Sequence, residues 1–536
     1  MTDTDRPDRP ERPERPEPPK GPEPAPGQPA SAPDARFRPN PAGWAAVAAL
    51  IAIVAAAIAL RFIDLAANPG GLYPDEGAEG LDAARLLHQS GFHPDFMVWF
   101  PGDGGREALF AYVVAGAFAL FGHSVEVLRA TAAACGVAGA LAIGALGRRF
   151  GTWTGIVAAA WAAGSLWLVC VSRDGMRNTI VPFFGAVALI ALLNWAARPG
   201  RISAIVAGAA TSLAALYTYQ PLKLLPVLVV VWLLWLRRSE RDRYDELRAG
   251  AVPFAAAFLL VAAPMLAVAA TEPANYFGRA AAVSTFNPDA GSADSLPIHV
   301  LRTLGMFGFA GDPNPRGDVS GIPLVPAALS VLAAIGAVRL WRMRHDPGHS
   351  LILLSLPVFL IAPLVATEGG APHALRTLGL AAPVGVAIGL GATASIGRVA
   401  RALGRWPAIL AGIALALILA GTAFLTGTAY LSRPLADRYE AYSYPLATLS
   451  AVAASHPGSA VILDDYSAMD ALFVGFDRPP AVIAPGTRIA DPAAYTEILA
   501  LSLDDLTRAL GPETAAGAEA VAWNPAGAPV VWAVAP

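Results

Sequence analysis

Eleven apolar runs of helix length follow one another along this chain, beginning near residues 43, 128, 152, 179, 202, 220, 250, 323, 350, 375 and 406. Crossing the hydrocarbon core of a bilayer takes about 20 apolar residues, and a turn or charged loop separates each run from the next. The succession predicts an all-α polytopic membrane protein with about 11 transmembrane helices over residues 41–428. Composition agrees, since 55% of the 536 residues are hydrophobic and only 15% are charged. The formal net charge is −3 and no basic block interrupts the body of the chain, which argues against nucleic acid as a partner. Cys135 and Cys170 both fall inside apolar runs and read as small hydrophobes rather than as a disulfide or a metal pair.

Residues 1–40 contain the Pro-rich, charged tract "RPDRPERPERPEPPKGPEPAPGQPASAP", which cannot bury enough apolar surface to fold and reads as a disordered tail. The run that follows comes too late and is too long for a cleaved signal peptide, so residues 43–62 are expected to stay as an anchor. The densest arginine loops are "GRRF" at 147, "ARPGR" at 197, "RRSERDRYDELR" at 237, "RLWRMRH" at 339 and "RVARALGR" at 398. They fall at every second loop, and the positive-inside rule puts them and the tail in the cytoplasm. One further stretch, "ALFAYVVAGAFALFG" over residues 108–122, would break that alternation if it crossed; at about 14 apolar residues it reads as a helix lying along the outer surface. The first loop, 64–127, is then outside, as are the turns at 172–178, 218–223, 272–322 and 368–374. Residues 429–536 are outside too, and "GSAVILDDYSAMDALF", "PPAVIAP", "SLDDLTRAL" and "GAPVVWAVAP" pattern as the short strands and helices of a small α/β domain. It carries no motif assignable to chemistry. A composition rich in Ala, Gly and Arg points to a GC-rich bacterial genome and a plasma-membrane location.

This topology gathers ionisable residues at the outer helix ends. The acids are Asp75, Glu76, Glu107 and Glu368; the bases are Arg129, Arg173, Arg177, Lys223 and Arg376. Lys20, in the tail, is the sole other lysine. Several have a bland reading. Asp75 suits the N-cap of a helix "EGAEGLDAARLLH" behind Pro74, Arg129, Arg173 and Arg376 suit snorkelling to headgroups, and Asp174 suits neutralising an arginine in "SRDGMRN". His88, His93, His299 and His373 are not spaced as a metal site and read as surface residues. Together, however, charged groups converging at membrane depth mark a functional site. A carboxylate facing several cations suits transfer of a glycosyl group from a polyprenyl phosphate. The leaving lipid phosphate is stabilised by Arg and Lys, and the attacking hydroxyl needs a base, for which Asp75 is the candidate.

The order "YPDEGAEGLDAARLLHQSG", "GREALFAYVVAGAFALFGHSVEVLRA", "GRRFGTWTGIVAAAWAAGSLWLVCVSRDGMRN", "LGMFGFAGDPNPRGDVSGIPLV" and "EGGAPHALRTLGLAAPVG" resembles the bacterial GT-C glycosyltransferases over residues 43–395. These include glycosyltransferase family 39, the lipid A aminoarabinose transferase, the lipopolysaccharide galacturonosyltransferases and the protein O-mannosyltransferases. The resemblance implies a GT-C fold with juxtamembrane helices in the first outer loop, and a catalytic acid in the Asp75-Glu76 pair. The family's later loop acid matches Glu107, here followed by Ala-Leu in place of the usual prolines, and its span-opening arginine matches Arg129. Implied partners are a polyprenyl-phosphate sugar donor, membrane lipids and a lipid, glycan or protein acceptor. No cofactor is certain; members differ in their use of a divalent metal, and no ligand set decides it here. The expected mechanism is inverting transfer. Asp75 activates the acceptor hydroxyl, Glu76 and Glu107 orient sugar or acceptor, Arg129, Arg173, Lys223 and Arg376 bind the phosphate, and Arg177 is able to replace any of these cations. A transporter or lipid flippase is the alternative. It would show internal repeats and charges near the bilayer midplane, whereas these charges gather at one face and no repeat is evident. A scaffold would leave the Asp75 and arginine cluster without a purpose.

Overall fold

The computed structural model describes residues 41–88, 97–100, 105–284, 287, 295–319, 321–366, 369–434 and 438–536. The tail, His93 and Glu368 lie outside the described residues. Residues 46–536 form one compact unit.

In lipid a backbone must satisfy its own polar groups, so each apolar run closes on itself as a helix. Helix α1 (Pro41–Phe62) leads into a loop carrying α2 (Pro74–His88), the two-residue strands β1 (Trp99–Phe100) and β2 (Arg106–Glu107), and α3 (Leu109–Phe121). There follow α4 (Val125–Arg148), α5 (Thr152–Gly164), α6 (Leu166–Val171), α7 (Val181–Ala197), α8 (Arg201–Tyr217), α9 (Leu225–Ser239), α10 (Arg241–Arg248) and α11 (Ala251–Thr271). After α12 (Pro273–Ala282) and α13 (Leu296–Leu304), the long helices resume as α14 (Ala327–Arg342), α15 (Pro347–Leu364), α16 (Ala381–Leu403) and α17 (Arg405–Leu431).

All eleven runs are helical, but among the described residues eight helices are long and apolar enough to cross a membrane. The expectation of about 11 is corrected at three places. Ser165, with extended backbone (φ −69°, ψ 122°), separates α5 from α6. Helices α8 and α14 have 17 and 16 residues. Helix α3 stands where residues 108–122 predict a short one. It has 13 residues, buries Phe110, Val114 and Phe118 in a core shared with Leu81 of α2 and Leu128 of α4, and leaves Leu120 and Phe121 exposed.

Helix α16, buried on nearly every side over its first three turns, forms the centre of the bundle with α4, α5, α7 and α14. Small residues let the backbones meet, as membrane helix packing requires. A Cβ placed on Gly336 of α14 would stand 1.9 Å from the Ala387 carbonyl oxygen of α16. Helices α11 and α17 are exposed along most of their length, apolar flanks suited to lipid.

The last segment is mixed, with α18 (Tyr444–Ser455), β3 (Ala460–Ile462), α19 (Ala468–Val474), β4 (Ala481–Ile483), β5 (Ile498–Ala500), α20 (Leu503–Leu510), α21 (Pro512–Ala515), β6 (Glu519–Trp523) and β7 (Pro529–Val534). Strand order is β4-β3-β5-β7-β6, parallel across the first three and antiparallel across the rest. Alternation along β3 sends Val461 toward α18 and α19, and Ala460 and Ile462 toward α20 and α21. This sheet unit is seated on the first loop through α19. A Cβ on Gly77 of α2 would stand 2.1 Å from Asp470 Oδ1, and one on Gly80 would stand 2.5 Å from the Phe473 ring. The buried Phe473 stacks on Phe118 of α3 at 6.1 Å.

Candidate active site

Helix α2 begins at Pro74, and the Tyr73 carbonyl accepts the Glu76 and Gly77 amides at 2.7 and 3.1 Å. Asp75 therefore lies inside the first turn, not at the cap position. Successive helical residues point about 100° apart, so the adjacent acids diverge. Asp75 is half-buried on the wall of a cavity of about 640 Å³. Glu76 is fully buried and accepts Arg129 Nε at 2.9 Å, Arg129 Nη2 at 3.0 Å and the Gly175 amide at 2.9 Å. Arg129 Nη2 also donates to the Gly71 carbonyl. Arg173, equally buried, donates to the carbonyls of Leu60, Ile63 and Asn68, each at 2.9 Å, and lies over the Tyr430 ring. It thereby closes the exposed end of α1, whose last carbonyls have no partner within the helix. Sequence pattern predicts substrate contact for Glu76, Arg129 and Arg173; the structure sets all three behind the cavity wall, where they bond to groups inside the protein.

The other expected cations line the cavity. Arg177 Nη1 donates to Glu79 at 2.7 Å and its Nε to Glu107 at 3.1 Å, with the guanidinium 5.5 Å from the Tyr219 ring centre. Lys223 Nζ stands 3.1 Å from the other Glu107 oxygen and 4.9 Å from the centre of the Tyr276 ring. Glu107 itself is buried, a counter-charge beneath two cations rather than a group facing substrate. The short β1-β2 ladder, which pairs Trp99 with Glu107, fixes it there. Burial pushes the Glu107 carboxyl up, but Lys223 and Arg177 outweigh burial and hold it below the usual range. For Glu79, burial wins over Arg177 and the carboxyl is raised.

On the opposite wall stand Arg316, Arg376 and His373. Arg376 donates to the Ala366 carbonyl at 2.9 Å, and Arg316 lies 3.4 Å above the Tyr73 ring. His373 is pushed down to about 3, first by burial and then by Arg376 and Arg316, so it is neutral. Two buried acids set this wall. Asp312 accepts the Ala374 amide at 2.6 Å and the Asn314 amide at 2.8 Å, and Asp318 accepts the Asp312 amide at 3.2 Å. Asn178 is buried on the rim, its carbonyl oxygen without a partner among the described residues.

Sequence reasoning missed the part played by the C-terminal unit. Tyr466 lies on the cavity, and its hydroxyl donates to Asp75 Oδ1 at 3.0 Å across 391 residues of chain. Arg316, Tyr73 and Tyr219 were also not foreseen. The one available signal is local to each: Tyr73 precedes the acid pair, and Arg316 sits in the turn-rich "DPNPRGD". Among the described residues no group of three or more His, Cys, Asp or Glu could hold a metal ion.

Residues 107–268 match the family model described as dolichyl-phosphate-mannose-protein mannosyltransferase. In fold the chain is similar to ArnT from Cupriavidus metallidurans, solved in the apo state (TM-score 0.58) and bound to undecaprenyl phosphate (TM-score 0.57). Identity is 16% in both cases, over 91% and 92% of this chain and 98% of the other. It is also similar to the archaeal oligosaccharyltransferase AglB from Archaeoglobus fulgidus in complex with an inhibitory peptide and a dolichol-phosphate. There the TM-score is 0.54 and the identity 13%, over 91% of this chain and 74% of that one. No curated protein matches the chain. At these identities the likeness to solved structures is one of fold.

Proposed function

We propose that the chain is a GT-C membrane glycosyltransferase of the class that uses polyprenyl-phosphate-linked sugars, and that it transfers one sugar to an acceptor hydroxyl at the outer face of the plasma membrane, with Asp75 as the base. The observation that carries this reading is the shared cavity, in which Asp75 faces Arg177, Lys223, Arg316 and Arg376. As the acceptor oxygen attacks the anomeric carbon, its proton passes to the Asp75 carboxylate. The bond from that carbon to the phosphate oxygen breaks with its electron pair, and the anomeric configuration inverts. The four cations hold the charge that develops on the lipid phosphate, so the leaving group needs no proton. Val283, Ala362, Val365 and Ala366 form an apolar wall beside them, where the first prenyl units of the donor would lie. Asn178 offers its unpartnered oxygen to a sugar hydroxyl. Glu76 and Arg129 serve indirectly, by fixing the start of α2. A cavity of about 640 Å³ suits one sugar phosphate, within the roughly 300–1,000 Å³ typical of small-molecule sites.

The test is sugar release from a panel of radiolabelled polyprenyl-phosphate sugars, with and without crude acceptor extract, by purified protein in detergent. Asp75→Asn is expected to lower turnover by about 10²- to 10⁴-fold while the protein stays folded. Equal turnover by parent and variant would remove Asp75 from the mechanism; failure of every donor with the parent would remove the reading itself.

A further inference from the structure

The bond from Tyr466 to Asp75 links the C-terminal sheet unit to the proposed base, and three features show that it is built in. The loop carrying Tyr466 leaves the end of β3 and is held by a side-chain turn. Asp464 Oδ1 accepts the amides of Tyr466 and Ser467 at 3.0 and 2.9 Å, and Asp464 Oδ2 accepts the Ser467 hydroxyl at 3.0 Å. Helix α19, which begins two residues later, rests against α2 at Gly77 and Gly80, about half a turn and one and a half turns from Asp75, so the loop is located by close contact. The Tyr466 ring is then braced edge-on by Tyr73, 6.4 Å between centres, and Tyr73 carries Arg316 on its face. The hydroxyl accordingly has a fixed position, aimed at one carboxylate oxygen. Among the described residues Asp75 Oδ2 has no hydrogen-bond partner.

We propose that Tyr466 is a positioning residue for the base: its hydroxyl engages Asp75 Oδ1, holds the carboxylate plane, and leaves Oδ2 to take the acceptor's proton. The inference rests on the reading of Asp75 as the base. A hydrogen bond donated to a carboxylate favours its charged form, and the other neighbours of Asp75 act in both directions. Asp470 of α19 and Glu76 of α2 are acids beside it; Tyr219 adjoins it across the cavity; Arg177, Arg316 and Arg376 are the facing cations. Tyr466 remains a donor throughout, since burial and the Asp75 charge raise its phenol well above the ordinary value. Loss of the hydroxyl alone should therefore show as a changed proton affinity at Asp75 and a slower chemical step, with donor binding by the cations left intact.

The decisive experiment compares the full-length parent, Tyr466→Phe and Asp75→Asn in detergent. Phenylalanine keeps the ring packed on Tyr73, so folding is expected to survive, as thermal unfolding will verify. Carboxyl infrared titration, with the Asp75 band identified by its absence in Asp75→Asn, should show the midpoint displaced upward by about one pH unit in Tyr466→Phe, the scale of one lost hydrogen bond to a charged group. With a donor that turns over, the acid limb of kcat should move by the same amount, plateau kcat should fall about tenfold, and KM for the donor should stay within twofold. An unmoved titration midpoint would overturn the proposal. So would a fall in kcat with an unmoved acid limb, or a joint change in kcat and KM, which would mark a merely structural tyrosine. If the parent turns over no donor, the transferase reading fails by itself, and the infrared titration still decides whether Tyr466 controls Asp75.

Discussion

At the scale of single residues, the two acids that open α2 part company by one step of a helix. Asp75 reaches the cavity, and Glu76 turns inward to a guanidinium that is itself 2% exposed. Burying such a pair is tolerable because the two ions bond to each other and to the Gly71 carbonyl and Gly175 amide, and removing one member leaves the other charge stranded at a cost of about 3–5 kcal/mol. Glu76→Gln is accordingly expected to lower the thermal unfolding midpoint markedly, whereas Glu76→Gln with Arg129→Met should recover most of the loss. An unaltered midpoint in the single variant would mean that the pair contributes nothing to the folded state. The place of these residues was legible in the sequence, because the acid pair follows the end of an apolar run and Arg129 opens the next. Their division of labour was not. A charge in a sequence does not reveal how many backbone carbonyls will surround it, and Arg173 has three.

At the scale of elements, hydrophobic run length located every long helix and the short α3, since burying apolar side chains in lipid needs only a consecutive stretch. It did not foresee the break at Ser165, where one polar residue suffices to end a helix whose surroundings are protein rather than lipid. Nor did it reveal which element of the C-terminal unit touches the first loop, because α19 meets α2 through two glycines whose meaning lies entirely in a partner almost 400 residues away. The contact at Gly77 makes that seat sensitive to a single methyl group. Gly77→Val places carbon atoms where Asp470 already is, and overpacking of this kind costs about 1–3 kcal/mol. The expected result is a lower unfolding midpoint with undiminished helical circular dichroism, and a smaller effect for Gly77→Ala. Full tolerance of valine would mean that α19 does not sit as close as described.

At the scale of the whole molecule, buried acids outside the spans give the fold a pH dependence of definite sign. Burial raises Asp318 from 3.8 to about 8 and Asp312 from 3.8 to about 6, and it shifts Asp174 and Asp470 in the same direction. The folded chain then keeps protons that the unfolded chain releases above about pH 4, so stability from these groups is full below that value and is lost as pH rises through about 6 and then about 8. Unfolding midpoints should fall from pH 5 toward pH 8, and Asp318→Asn, which imitates the protonated carboxyl, should flatten the upper part of that decline. A parent whose midpoint does not change over the range would show that these acids are ionised in the fold. The mixed sheet was legible as a unit from its alternating strands, but its bearing on the cavity depends on how a loop after β3 is presented in three dimensions.

The 391 residues between Asp75 and Tyr466 also set a clock. A ribosome adding about 5–20 residues per second needs about 20–80 s to travel from one partner of that hydrogen bond to the other. During that interval α4 to α17 are made in turn, and the first loop stands with its carboxylate made and its tyrosine not yet synthesised. The tyrosine is thus a late arrival, and its contact with Asp75 marks a chain whose synthesis has passed the third strand.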